Sequence, residues 1–190
     1  MSELNRERVL RAATRSFLAR GYRSSVDHIA QRAGVAKQTV YHHFQSKDAL
    51  FQEVARELVK HVLVGLEAQP QDLRAGLLRF ARAYRKRVLG AQGVATFRAL
   101  VPEVPRFPAL ARAMYAGSAG VLVERLAAWL EGAMKDGRLR RADPELAAEL
   151  FLGMLVGQDR LKRLFGVACP EKEPRRTARI VDCFLRAYSP

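Results

Sequence analysis

The sequence predicts an all-α protein of about nine helices, with a small N-terminal three-helix unit followed by a larger helical domain. Three observations predict it. Apolar residues recur at three- and four-residue steps over most of the chain, the spacing that lines up one face of a helix. No stretch alternates apolar and polar residues as a half-buried strand does. Glycines, prolines and capping residues fall between the periodic segments, where helices have to stop and start.

From Asn5 to Arg20, the residues Val9, Leu10, Ala13, Phe17 and Leu18 form one apolar face, and Gly21 supplies the stop. Ser24 is expected to open the next helix, with Asp27 three residues on in the manner of a capping box. Val26, Ile29, Ala30 and Ala33 give that helix its inner face. Gly34 then stands where the chain reverses, a position that favours positive φ and so a residue without Cβ. Val35, Val40 and Phe44 resume the helical spacing. Two short helices joined by such a turn, with the small Ala30 at their closest approach, make a helix-turn-helix.

Ser46 suits an N-cap and Asp48 a first turn, so a long helix is expected from Lys47 to about Glu67, carrying Leu50, Phe51, Val54, Leu58, His61, Val62 and Leu66. Pro70 and Gln71 end it. This helix is read as the single link between two domains, residues 1–47 and 48–190. Further helices are expected from Asp72 to Leu89, Gln92 to Val101, Pro108 to Lys135, Pro144 to Phe165, and from near Pro174 to Tyr188. Asp143 with Pro144 is a cap followed by proline at the first helical position, while Pro102, Pro105 and Pro108 form an irregular corner.

With Val40 and Phe44 inward, the 3.6-residue period turns Lys37, Gln38, Tyr41 and His42 outward, with Thr39 beside them. Such side chains donate to phosphates or hydrogen-bond base edges, and the set contains no acid for phosphates to repel. The run SSVDHIAQRAGVAKQTVYHHFQSKDALF, preceded by RVLRAATRSFLARGY, resembles the DNA-binding domain of the tetracycline-repressor (TetR) family of bacterial transcription regulators, closely over residues 6 to about 52. Ala36 departs from that pattern, since the family often places a serine there to cap the recognition helix. Losing a side-chain cap costs about 0.5–2 kcal/mol.

On this reading the protein is a dimeric, ligand-responsive repressor of double-stranded DNA carrying a palindromic operator. The stretch from Val35 to Phe44 enters the major groove; Lys37 and Gln38 read bases, while Ser25, Thr39, Tyr41, His42 and Lys47 hold phosphates. The larger domain is expected to bind a small effector and to dimerise. Tyr84, Phe97, Met114, Tyr115, Trp129, Phe151 and Met154 are its candidate pocket residues, and Arg98 and Glu103 either orient a polar ligand or pair on the surface. An apolar excess over residues 144–165 and 174–188, including Leu150, Met154 and Leu161 with small Gly153 and Gly157, suggests a four-helix bundle with a symmetry mate. Resemblance to the family implies the same two helices.

Composition bounds the alternatives. The formal net charge is +14, and residues 1–47 carry nine Lys or Arg against three Asp or Glu, an excess of +6 in the first quarter of the chain. Such a field concentrates polyanions. Charge by itself fits an Arg-rich solvated surface, or a sequence-indifferent DNA-coating protein, equally well; the motif decides. Arg20 and Arg23 are read as general phosphate attraction. The segment MSELNRERVLR has no apolar signal core and no apolar run approaches the roughly 20 residues that span a bilayer, so a cytoplasmic protein without membrane partners is expected. Cys169 and Cys183 do not form a disulfide framework. Neighbouring helical residues point about 100° apart, so His42 and His43 do not aim at one metal ion. No GxSxG, HExxH or P-loop spacing occurs, so neither an enzyme nor a cofactor is expected.

Overall fold

The computed structural model describes residues 2–63, 66, 72–168 and 173–190. Every described element is helical: α1 (Ser2–Arg20), a 3₁₀ turn (Gly21–Arg23), α2 (Val26–Ala33), α3 (Lys37–Phe44), α4 (Lys47–Leu63), α5 (Leu73–Leu89), α6 (Ala91–Leu100), a 3₁₀ turn (Val101–Glu103), α7 (Pro108–Tyr115), a π-helical turn (Ala116–Gly120), α8 (Val121–Lys135), α9 (Pro144–Leu164) and α10 (Glu173–Ala187). The expected all-α class is what the chain adopts. The stretch from Pro108 to Lys135, expected as one helix, is helical throughout but switches to π geometry over Ala116-Gly117-Ser118-Ala119-Gly120. Those small residues offer little packing to hold α spacing. Counted as one, that stretch leaves nine helices among the described residues. The expected end of α4 near Glu67, with Pro70 and Gln71 after it, lies outside the described residues, as does Cys169.

The caps follow the local chemistry. Ser46 Oγ accepts from the Ala49 N–H at 3.0 Å, Asp72 Oδ1 from Ala75 at 3.0 Å, and Asp143 Oδ1 from both Glu145 and Leu146 at 2.9 and 3.2 Å. One expected cap moves by a residue. Ser25, not Ser24, caps α2, its Oγ accepting from His28 N–H at 3.1 Å, whereas the buried Ser24 donates to the Ser16 carbonyl at 2.9 Å. With Ser24 tied to α1, the cap falls to the next hydroxyl.

The chain divides into two compact units that are not contiguous in sequence: residues 1–58 with 95–118, and 59–94 with 119–190. The chain therefore passes between them three times, and α4 is not a single link. In the first unit Val9, Ala13, Phe17, Ile29, Ala30, Val40, Phe44, Leu50 and Phe51 form the core, with Leu100 and Met114 packed against it. In the second, Phe80, Leu126, Leu130, Phe151, Leu155 and Phe184 are fully buried. Helices α8 and α9 pack side by side there, and α5 packs on α9 and α10. A buried ion network crosses this unit: Arg85 Nη2 donates to Asp159 Oδ2 at 2.8 Å and its Nη1 to the Leu155 carbonyl, while Arg176 Nε donates to the same Asp159 oxygen at 2.6 Å.

The faces of α9 separate cleanly. Ala147, Phe151 and Leu155 are buried in this unit, while Leu146, Leu150, Met154 and Leu161 stand 37–50 % exposed. Gly157 interrupts the helix with non-helical angles, φ 25° and ψ −129°. On α10, Val181 and Phe184 are buried and Ile180 and Leu185 half-buried.

Candidate nucleic-acid interface

The helix-turn-helix is built from the inside out. Val26, Ile29, Ala30 and Ala33 bury one face of α2, and Val40 and Phe44 bury one face of α3. Gly34 lies between them in the left-handed region at φ 64°, ψ 41°. Its N–H bonds the Gln31 carbonyl, and the Val35 N–H reaches back to Ala30, both at 3.1 Å, the paired reverse bonds of a Schellman stop. A Cβ at residue 34 would also lie 2.6 Å from Arg8 Nη2. The left-handed backbone is what selects glycine at position 34, since the Arg8 guanidinium is the far end of a flexible side chain that can shift.

Ala36 occupies the N-cap of α3 with extended angles and makes no side-chain cap, so the start of this helix depends on packing and on the turn. Fixing Val40 and Phe44 inward leaves Lys37, Gln38, Tyr41 and His42 exposed and Thr39 half-buried. Val35 is half-buried against the core. Ser25 is exposed at the start of α2, with its hydroxyl engaged in the cap. Lys47, half-buried at the start of α4, sits over the Tyr22 ring at 4.1 Å from its centroid. Burial pulls the Lys47 ammonium below its usual range, partly opposed by Asp48. Tyr22 in turn donates to Asp48 Oδ1. Burial, and then the hydrogen bond to that carboxylate, push its phenol well above its usual value.

One acid stands closer to the tip than its sequence position suggested. Asp27 Oδ2 accepts from Lys37 Nζ at 3.0 Å, and that bond raises the lysine above its ordinary range. The tip's own exposed side chains remain non-acidic, but its lysine is held by a neighbour. His42 and His43 stack edge-on at 5.3 Å, and His43 meets Phe44 at 6.2 Å.

A feature the motif did not single out lies beside the turn. Arg8, Arg11 and Arg15 on α1 and Arg32 on α2 line a polar cleft of about 320 Å³ that reaches Gly34. The signal was present as arginines three and four residues apart on α1, a spacing that stacks them on one helix face. Arg23, by contrast, pairs with Glu103 at 3.0 Å, so it is engaged within the same unit, as is Glu103. Arg98 stands exposed on α6.

The candidate pocket residues are distributed rather than gathered in one unit. Tyr84, Trp129 and Phe151 belong to the core of the second unit, and Phe151 packs between Phe80 and Phe184 at ring distances of 6.3 and 4.6 Å. Burial raises the Tyr84 phenol, with Arg160 opposing. Met154 turns outward on α9. Phe97, Met114 and Tyr115 belong to the first unit, where Met114 packs on the core and Phe97 and Tyr115 are 39 % and 61 % exposed.

Among the described residues no group of three or more His, Cys, Asp or Glu is placed to hold a metal ion, and no helix is long and apolar enough to cross a membrane.

Comparison with known proteins covers both units. The family described as "Bacterial regulatory proteins, tetR family" matches residues 9–54, and the domain described as "AefR-like transcriptional repressor, C-terminal domain" matches residues 75–190. The flavonoid-responsive regulator FrrA is 33 % identical with a TM-score of 0.76, over 98 % of this chain and 97 % of that one. A TetR-family regulator from Mesorhizobium loti MAFF303099 is 26 % identical with a TM-score of 0.79, over 100 % and 99 %. Two curated relatives match over about a third of the chain. They are the uncharacterized HTH-type transcriptional regulator YhgD of Bacillus subtilis (strain 168), 38 % identical over 63 residues, and the HTH-type transcriptional activator FasR of Mycolicibacterium smegmatis, 40 % identical over 62. The chain spans only 33 % and 28 % of the length of those two. With both parts of the chain matched to the same group, the protein belongs to the TetR family of transcriptional regulators, which are DNA-binding proteins and not enzymes.

Proposed function

We propose that the protein is a dimeric, effector-responsive repressor that inserts α3 into the major groove of a palindromic operator. Residues 1–47 serve as the DNA-binding domain and residues 48–190 as the effector-binding and dimerisation domain. The observation that carries this reading is the exposed polar row Lys37, Gln38, Tyr41 and His42 on a helix whose opposite face, Val40 and Phe44, is locked in the core. Gln38 and Lys37 read base edges, and Val35 lies against the groove. Ser25, Thr39, Tyr41, His42 and Lys47 position the backbone.

Dimerisation is assigned to α9 and α10, supported by the apolar row Leu146, Leu150, Met154 and Leu161 that the chain itself leaves uncovered. Two-fold symmetry then sets half-sites about 10 bp, or a multiple, apart. Repression rather than activation is favoured because the repressor-type match extends over residues 75–190, whereas the similarity to the activator FasR is confined to 62 residues. The regulator FrrA is named for flavonoids, which supports a planar aromatic effector bound in the helical domain. An effector that favours the form with misplaced α3 helices lowers DNA affinity by its differential binding energy, typically 1–3 kcal/mol.

Gel-shift titration with the promoter DNA flanking its own gene tests this. A sequence-selective shift, reversed by the effector, is expected. Gln38→Ala should relax base preference, whereas Tyr41→Ala should weaken all sequences alike. Equal affinity for operator and random duplex would instead mark a DNA-coating protein.

A further inference from the structure

Nine lysines and arginines fall within residues 1–47, and most of those outside one cleft are engaged. Arg6 is held by Glu53, Arg23 by Glu103 and Lys37 by Asp27, and Lys47 lies half-buried on the Tyr22 ring. Four of the remaining five, Arg8, Arg11, Arg15 and Arg32, converge from α1 and α2 on the polar cleft of about 320 Å³ beside the turn. All four are exposed. Among the described residues, no ion pair or side-chain hydrogen bond engages Arg11, Arg15 or Arg32. Arg8 Nη2 donates to the Gly34 carbonyl at 3.3 Å, which leaves most of the five N–H donors of its guanidinium available.

The free protein gains little from this arrangement. Arg8, Arg11 and Arg15 stand three and four residues apart, so they share one face of α1, where like charges repel. Arg32 lies in the last turn of α2, whose carbonyl end attracts a cation, but Arg11 and Arg15 sit mid-helix on α1 with no such end beside them. A polyanion bridging the guanidiniums relieves that repulsion, and their planar forks match phosphate oxygens two at a time. Position favours the same partner. The cleft reaches Gly34, so at most about 11 Å of chain separates its edge from Lys37 on the outward row of α3. The major groove is about 12 Å wide, so a helix lying in it has a phosphate strand on either side within that reach.

We propose that Arg8, Arg11, Arg15 and Arg32 form a second DNA-backbone site, gripping phosphates of a strand that borders the groove α3 occupies. It supplies affinity without base preference, because phosphates carry no sequence information. The assignment rests on the entry of α3 into the groove proposed above, but not on the recognition of any operator.

Fluorescence anisotropy of the full chain with a labelled duplex of random sequence, between about 50 and 200 mM salt, reads the number of phosphates neutralised. Arg11→Ala/Arg15→Ala leaves Arg8 on the Gly34 turn and Arg32 at the end of α2. Its slope of log K against log salt should be shallower by about two units. The promoter fragment should lose affinity by the same factor, so the ratio between the two duplexes stays unchanged. Arg11→Lys/Arg15→Lys keeps the charge and should keep most of the slope. Arg125→Ala/Arg141→Ala removes two exposed cations from the second unit and should leave the slope as it is. Circular dichroism controls for folding in each variant. If α3 reads no operator, the wild type shows no preference for the promoter, while the slope on random duplex still reports the cleft. An unchanged slope in folded Arg11→Ala/Arg15→Ala overturns the proposal. So does an equal fall in the second-unit control, which marks a diffuse field, or a loss confined to the promoter, which marks base selection. Calorimetry with inorganic pyrophosphate covers the other source of phosphate: binding that depends on Arg11 and Arg15, with the DNA slope unchanged, assigns the cleft to a free anion and overturns the DNA site.

Discussion

Replacing Asp159 with asparagine removes the carboxylate that Arg85 and Arg176 share while keeping its shape. Arg85, 1 % exposed, then loses the carboxylate it holds at 2.8 Å and keeps its bond to the Leu155 carbonyl. Breaking a buried ion pair by removing one member costs about 3–5 kcal/mol, because the remaining charge is desolvated and uncompensated. Arg176 contributes little to that loss, since its side chain is 35 % exposed and water replaces its partner. For a chain of this size each kcal/mol moves the thermal midpoint by about 2–4 °C, so a fall of roughly 6–20 °C is expected at neutral pH.

The pH dependence follows from the direction of the shift. Burial alone would push the Asp159 carboxyl up, but the hydrogen bonds and charges of Arg85 and Arg176 outweigh it and hold the group below its ordinary range. A depressed folded value means that the stabilisation is fully present above the unfolded carboxylate pKa and is lost as pH falls through the folded one. The midpoints of wild type and Asp159→Asn, followed by circular dichroism, should therefore converge on acidification. The double variant Arg85→Met/Asp159→Leu should recover most of the loss, since an apolar pair removes the stranded charge. A fall below about 2 °C at neutral pH, less than 1 kcal/mol for this size, or a gap that widens in acid, would refute the reasoning.

Gly34→Ala should cost about 1–2 kcal/mol for the left-handed backbone alone, read as a lowered urea midpoint, and more if Arg8 cannot move aside. Asp27→Asn releases Lys37 from its 3.0 Å partner, so non-specific DNA affinity should rise, with the slope of log K against log salt steepening by up to about one unit. Met154→Glu places a charge on the uncovered row of α9 and should shift the species seen by light scattering from dimer to monomer, leaving the chain's helical content unchanged.

Where local chemistry determines structure, the sequence was readable. Gly34, Ser46, Asp72 and Asp143 act through their own backbone or a hydroxyl or carboxylate within three residues, and each ends or begins a helix where expected. The slip from Ser24 to Ser25 has the opposite cause, because Ser24 is claimed by Ser16 on another helix. Spacing likewise gave the outward row of α3, yet not the Asp27 carboxylate that grips Lys37 across ten residues. The seven aromatic and methionine candidates share a residue type rather than a location. Burial at helical spacing marks Phe151 and Trp129 as apolar without saying whether a ring or a ligand fills the space beside them. The largest surprise, residues 95–118 packing with the head, involves partners some eighty residues apart, such as Tyr22 with Phe107 at 5.3 Å, and no periodicity records that.

That return of the chain has a practical corollary for grafting. A chimera joined just after the helix-turn-helix would carry over α1 to α3 but strip away Phe51, Leu100, Met114 and Phe107, laying bare the Phe17 and Tyr22 side of the donor. Swapping operator preference between relatives therefore calls for a transplant that travels with its α6–α7 buttress, or for changes confined to the outward row of α3.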